Sequence, residues 1–197
     1  MVIEARPGVV TAEQRAVAAT ARAVEQSGRA GSDIVATAWH ALGEIPDPEV
    51  PAISIVELGI VRDVAWEDDA LVIRVTPTYS GCPATEAIRA SITSAIEAIG
   101  IRDVRIDTVL APAWTTDWVA PEARAKLQAF GIAPPQGSAQ RIDVASIGVR
   151  RRDSAAVPCP RCGSTSTRLL SQFGSTACKA QYRCDACLEP FDYFKAF

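Results

Sequence analysis

The chain has 197 residues, 48% of them apolar, and a net charge of −3. That is the size of one or two domains with ample matter for a core. No stretch reaches the roughly 18 uninterrupted apolar residues of a membrane helix. Met1–Pro7 has none of the pattern of a secretion signal, so a soluble cytoplasmic protein is expected. Charge is uneven: from Arg141 onward nine Lys and Arg face five Asp and Glu, while the preceding residues are acidic. So small a basic surplus argues against a dedicated nucleic-acid binder and fits docking on an acidic protein at least as well.

In chain order, Thr11 to Gln14 has the form of a capping box ahead of an Ala-rich helix ending near Gln26. Ser32 or Asp33 then caps a second helix, about Ile34–Leu42, stopped by Gly43. Pro46, Pro48 and Pro51 exclude regular structure in the next turn. Two alternating runs, about Ile60–Trp66 and Ala70–Thr76 around Glu67-Asp68-Asp69, read as a β-hairpin. After the loop Pro77–Pro83, a helix extends to Ile99 with Ile88, Ile92, Ile96 and Ile99 on one stripe and Gly100 as its stop. A third strand, Val104–Leu110, and a helix from Pro121 to Phe130 capped by Gly131 follow. The order α-β-β-α-β implies a small α/β sandwich with a mixed sheet. The expected division is an Ala-rich helical extension over 1–31, the α/β domain over 32–131, a linker over 132–157 with one short strand at Arg141–Val149, and a cysteine ribbon over 158–197.

That ribbon carries the plainest chemical signal. Cys159-Pro-Arg-Cys162 and Cys184-Asp-Ala-Cys187 are two C-x-x-C pairs, the spacing of a closed tetrahedral thiolate site. Zinc is the expected structural occupant, and four thiolates also suit a single iron. Cys178 alternates with Thr176 and Ala180 along an expected strand, which favours packing in the ribbon core over a displaceable fifth thiol near the metal. Phe191, Tyr193 and Phe194 supply ribbon core plus an exposed aromatic for docking.

A second constellation lies in the loop Thr76–Pro83. Gly81 permits close backbone approach or an unusual dihedral. Cys82 falls at the expected N-cap of the following helix, where amides and the helix dipole favour the thiolate. The residues alone leave a metal ligand, a nucleophile, a redox thiol or a half-buried structural cysteine open. Asp47 and Glu49 sit in the proline-rigidified turn and Glu57 precedes Leu58-Gly59, as candidate oxygen ligands or as a turn cap and solvated charges.

Asp47-Pro48-Glu49, Glu57-Leu58-Gly59-Ile60-Val61, Thr76-x-Thr78-x-x-Gly81-Cys82-Pro83 and Pro112-x-Trp114 together resemble the iron–sulfur assembly family. The appended ribbon, with Phe173-Gly174-Ser175-Thr176-x-Cys178-Lys179 and Cys187-x-Glu189-Pro190-Phe191-Asp192, resembles more narrowly the PaaD family of accessory subunits of the phenylacetyl-CoA epoxidase of phenylacetate degradation. The resemblance implies help in maturing an iron or Fe–S centre of that di-iron monooxygenase or its reductase. It also implies transient contact of Cys82 with iron or a cluster, and a supporting pocket of Asp47, Glu49, Glu57, Thr78 and Gly81. The implied partners are the oxygenase and reductase components, with a homodimer as a further option. The alternatives are a zinc-ribbon adaptor without metal transfer and, through Arg150-Arg151-Arg152, a nucleic-acid-binding ribbon.

No catalytic residue is expected. The one histidine, His40, cannot supply the paired Glu-x-x-His motifs of a bundle-type di-iron site. Neither a phosphate-binding loop nor a dinucleotide fingerprint is present.

Overall fold

The computed structural model describes residues 31–136 and 156–196. The expected helix ending near Gln26 and the expected strand Arg141–Val149 lie outside the described residues. Helix α1, described over 31–43, buries Ala38 and Leu42 completely, with Ile34, Val35 and Trp39 packed beside them. This is the stripe a 3.6-residue period produces.

Strands β1 (Val61–Glu67) and β2 (Ala70–Val75) form the expected hairpin. Glu67 faces Ala70, so the turn is only Asp68-Asp69, with φ of 47° and 65°. Two consecutive positive φ values match the twist of a tight hairpin, and Asp tolerates them better than most residues. Helix α2 (Thr85–Ala98) then carries the chain to β3 (Val104–Thr108), parallel to β2. The sheet order is β1-β2-β3. As the central strand, β2 buries Leu71, Val72 and Ile73 completely. Ile88, Ile92 and Ile96 of α2 face the core, whereas Ile99 is 38% exposed. The apolar stripe therefore stops one turn earlier than the sequence pattern suggests, because Ile99 is already the C-cap.

Past β3, Trp114 is buried and its indole N–H donates to the Leu58 carbonyl at 3.1 Å. A 3-10 turn, Thr116–Trp118, approaches Gly59 so closely that a Cβ there would lie 2.8 Å from the Trp118 carbonyl oxygen. With φ of 76° as well, position 59 requires glycine. Helix α3 (Pro121–Phe130) has Pro at its start and Gly131 as a left-handed cap, as its sequence implies.

The expected linker does not begin at Ile132. Gly131 turns the chain directly into β4 (Ile132–Ala133), both residues buried, which pairs in parallel with β7 (Pro190–Phe194). With β5 (Thr167–Ser171) and β6 (Lys179–Cys184) the ribbon sheet has the order β4-β7-β6-β5. This is the expected α/β body followed by a C-terminal β ribbon. The ribbon has its own small core of Ala133, Val157, Cys159, Cys184 and Phe191. Two ribbon residues, Cys178 and Phe194, are buried instead in the body core. Burial of a Phe side chain is worth about 1.5–3 kcal/mol, enough to seat the ribbon firmly on the body.

Candidate functional site

The four ribbon cysteines converge. Cys159 and Cys187 Sγ lie 3.7 Å apart, and Cys162 and Cys184 Sγ 3.6 Å apart. All four sulfurs fall within 4.8 Å of one another, the one such group of three or more metal-binding side chains among the described residues. A tetrahedron with metal–sulfur bonds of about 2.3 Å has edges of about 3.8 Å, so the sulfurs already stand at the corners of a metal site. Backbone geometry puts them there. The Gly163 N–H bonds the Cys159 carbonyl at 2.9 Å, and the Cys187 N–H points at Cys184 Sγ at 3.5 Å. The residue after each pair, Gly163 or Leu188, takes a left-handed φ of 74° or 67°. The Cys187 amide leads in pulling the Cys184 thiol down to about 7, so one ligand is near ionisation at neutral pH.

Cys82 is half-buried in the loop before α2. The structure moves it off the helix cap: the N-cap is Ala84, and α2 starts at Thr85 because Pro83 and Ala84 form a turn. The Cys82 carbonyl accepts from the Thr85 hydroxyl at 2.8 Å. The expected thiolate-favouring environment is also reversed. Burial pushes the thiol up; the Ala84 amide opposes this, but Glu49 and Asp47 add negative charge, and the Thr78 hydroxyl only partly offsets it. Cys82 is thus a thiol at neutral pH, and a cation would have to displace its proton. A cavity of about 10 Å³ among Ile60, Val75, Pro77, Thr78, Cys82, Thr85 and Ile88 holds no more than a water.

The supporting residues divide. Thr78 is buried against Cys82. Asp47 is buried too, and its Oδ1 accepts from the Glu49 and Val50 amides at 3.0 and 2.8 Å, capping the proline turn. Burial holds its carboxyl above the ordinary carboxylate range despite those amides. Glu49 follows on the same turn, and its Oε2 accepts from the Cys178 thiol at 3.4 Å. Glu57 does not join them. Its Oε2 accepts from the Ser54 amide at 2.9 Å, Ser54 Oγ accepts from the Glu57 amide at 3.1 Å, and Lys126 Nζ reaches Oε1 at 2.6 Å. It closes a reciprocal capping box with Ser54 and pairs with Lys126 of α3. Gly81 is neither strained nor crowded: its φ is not left-handed, and a Cβ would meet only the Tyr79 ring at 3.9 Å.

Cys178 corrects another expectation. It is 3% exposed and packs in the body core rather than in the ribbon core. It cannot be a fifth thiol near the ribbon metal, since it and Cys184 bracket the length of β6. Its Sγ lies 3.0 Å from Thr176 Oγ1 and donates to Glu49 Oε2 at 3.4 Å. Burial, with help from Glu49, pushes its pKa up to about 11. Tyr79, which pattern reading passes over, borders this whole group. Burial raises its hydroxyl, and Cys82, Glu49 and Cys178 all add to the shift.

Two family models match the chain: an iron–sulfur cluster assembly protein over residues 36–108 and a PaaD zinc beta ribbon domain over 145–195. An Escherichia coli (strain K12) protein, whose name proposes it as a subunit of 1,2-phenylacetyl-CoA epoxidase, is 49% identical over 157 residues, 80% of this chain and 90% of that protein. A Porphyromonas gingivalis (strain ATCC BAA-308 / W83) Fe-S protein maturation auxiliary factor is 31% identical over 88 residues, 44% of this chain and 83% of its own length. Among solved structures, a Bacillus anthracis domain of unknown function aligns with a TM-score of 0.47 at 23% identity, over 51% of this chain and 96% of that one. No helix among the described residues is long and apolar enough to cross a membrane. With an assembly-type α/β body that carries Cys82 on a surface loop and runs on into a four-cysteine ribbon, the chain belongs to the PaaD family.

Proposed function

We propose that the chain is an accessory subunit of a phenylacetyl-CoA epoxidase system and assists maturation of an iron or Fe–S centre in the oxygenase or the reductase component. The observation that carries this reading is the half-buried Cys82 thiol in the loop ahead of α2, beside the Thr78 hydroxyl and within the field of Glu49 and Asp47. The names of the two relatives, one an epoxidase subunit and the other an Fe–S maturation factor, support it. Iron or a cluster is the cargo in this reading. Thr78 positions the Cys82 thiol, Asp47 fixes the turn that holds Glu49, and a cation draws the proton from sulfur. The ribbon cysteines hold zinc as a structural ion: four thiolates fill its shell and leave no open position.

Protein incubated anaerobically with ferrous iron and sulfide should acquire labile iron beside one zinc per chain. Cys82→Ser should lose the iron and keep the zinc. Equal iron in both proteins would exclude Cys82 as the cargo contact.

An adaptor reading without metal transfer has one favouring observation. Leu169, Leu170 and Phe173 are exposed by 41–68% along and just after the edge strand β5. Leu170→Glu with Phe173→Glu should then abolish co-purification with the oxygenase and reductase components while iron uptake is unchanged.

A further inference from the structure

The ribbon contributes a thiol to the body. Cys178 immediately precedes β6, yet its side chain is buried among body residues. Its sulfur meets a carboxylate of the proline turn, Glu49 Oε2, at 3.4 Å. The neighbouring Lys179 is itself buried; its ammonium donates to the Glu49 carbonyl at 3.1 Å and forms an ion pair with the Asp192 carboxylate at 3.8 Å. The ammonium group thus ties down the backbone of residue 49 and leaves its carboxylate to the thiol. A thiol is a weak hydrogen-bond donor, so this pairing is a poor way to satisfy a carboxylate at a module junction. As a metal-binding pair it is chemically apt. Cys82 and Tyr79 pack against the same core cluster that holds Cys178, and the charge of Glu49 acts on both the Cys82 thiol and the Tyr79 hydroxyl.

We propose that Cys82, Cys178 and Glu49 form a composite site for a divalent transition-metal ion at the junction of body and ribbon, the ribbon supplying the second sulfur. This rests on the reading of Cys82 as the cargo thiol and deepens it: the cargo is taken up as a ferrous-type ion by two sulfurs and one oxygen. Such a mixed set suits borderline cations and disfavours magnesium or calcium. In this structure the three donors do not yet meet within the 4.8 Å that the ribbon sulfurs satisfy. Tyr79 and Cys82 are only half-buried, and binding requires side-chain rotation to bring the Cys82 sulfur to the other two donors. The arrangement also gives the ribbon a task beyond its own metal, since it aims Cys178 at Glu49.

The test is anaerobic titration of the full-length, zinc-loaded protein with cobalt(II). Sulfur-to-cobalt charge-transfer absorbance is followed, and zinc per chain is measured at the end to show that the ribbon has not exchanged. Wild type should show a thiolate-rich signal with zinc retained. Cys178→Ser should lose about half of that intensity and weaken binding at least about tenfold. Glu49→Gln should weaken binding by a similar factor with the intensity kept. If Cys178→Ser matches wild type while Cys82→Ser is silent, the composite site is overturned and Cys82 remains the cargo thiol. If neither substitution changes the signal, both readings fall. Should Cys178→Ser lose its fold, seen as loss of zinc or of a cooperative melt, Glu49→Gln decides: wild-type cobalt affinity in that variant overturns the composite site.

Discussion

Phe194 of the ribbon packs its ring against Trp114 of the body, with centroids 6.1 Å apart and planes inclined by 59°. Trp114 in turn holds the Leu58 carbonyl of the Glu57-Leu58-Gly59 turn. A residue of the last ribbon strand is therefore part of the support for the body.

Phe194→Ala should destabilise the body as well as the ribbon. Phe194 is 1% exposed, and replacing a fully buried Phe by Ala typically costs about 3–5 kcal/mol. Denaturant unfolding followed by tryptophan fluorescence should show the shift, because Trp114 reports on the body. Removal of the whole ribbon should expose Trp114 and depress body stability too. A body that melts unchanged without the ribbon would contradict this packing.

Gly163 and Leu188 make opposite demands at equivalent places in the two cysteine turns. Gly163→Ala imposes a side chain on φ of 74° and should cost about 1–2 kcal/mol. Leu188 already bears that strain and is 59% exposed, so Leu188→Gly should cost nothing or raise stability by up to about 1 kcal/mol. The temperature at which the ribbon releases its metal, followed with a chromogenic chelator, should fall for Gly163→Ala and hold or rise for Leu188→Gly.

Glu57 predicts a pH dependence. Burial alone would raise its carboxyl, but the Lys126 ammonium and the Ser54 groups outweigh it and hold the carboxyl below its ordinary 4.5. A carboxylate depressed in the folded state stabilises the fold fully above its unfolded pKa, and that contribution is lost as pH falls through the folded value. Glu57→Gln should therefore cost about 1 kcal/mol at pH 7 through the capping box and ion pair. The gap between the two proteins should close as pH is lowered from 4.5. Paired urea melts cancel the acid sensitivity of the ribbon, which both proteins share. A gap that stays constant across that range would remove Glu57 from the account.

Gly81→Ala separates fold from cargo. A Cβ at 81 would meet nothing nearer than 3.9 Å, and the position is exposed. Stability should be within about 0.5 kcal/mol of wild type. If the glycine leaves room for cargo beside Cys82, iron uptake should drop several-fold in the same protein. Unchanged uptake would reduce Gly81 to an ordinary turn residue.

What sequence could and could not reveal follows from the range of the forces. The hairpin, α2 and α3 are legible because alternation, an isoleucine stripe, Pro121 and Gly131 act within a few residues. The four ribbon cysteines are legible because metal geometry constrains spacing. Ile132-Ala133 looks like linker because two residues carry no period, and only Asp192 and Tyr193 opposite make them a strand. Cys178 has the alternation of a ribbon-core residue, but its burial partner Glu49 lies 129 positions away. Glu57 carries the right residue type for a ligand, and a local capping box with a distant lysine claims it instead. The position of Cys82 relative to α2 is off by two residues because Pro83 fits a turn as readily as a first helical turn.

Strand β6 has Cys178 just before one end and Cys184 at the other. Six residues of extended chain place their Cα atoms about 20 Å apart, far beyond the reach of thiol–disulfide exchange. Oxidation or metal loss at the ribbon site therefore cannot pass from Cys184 to Cys178 by direct contact within one chain. One short strand thus keeps a buried thiol of the body core apart from the thiolates of the ribbon, each in its own surroundings.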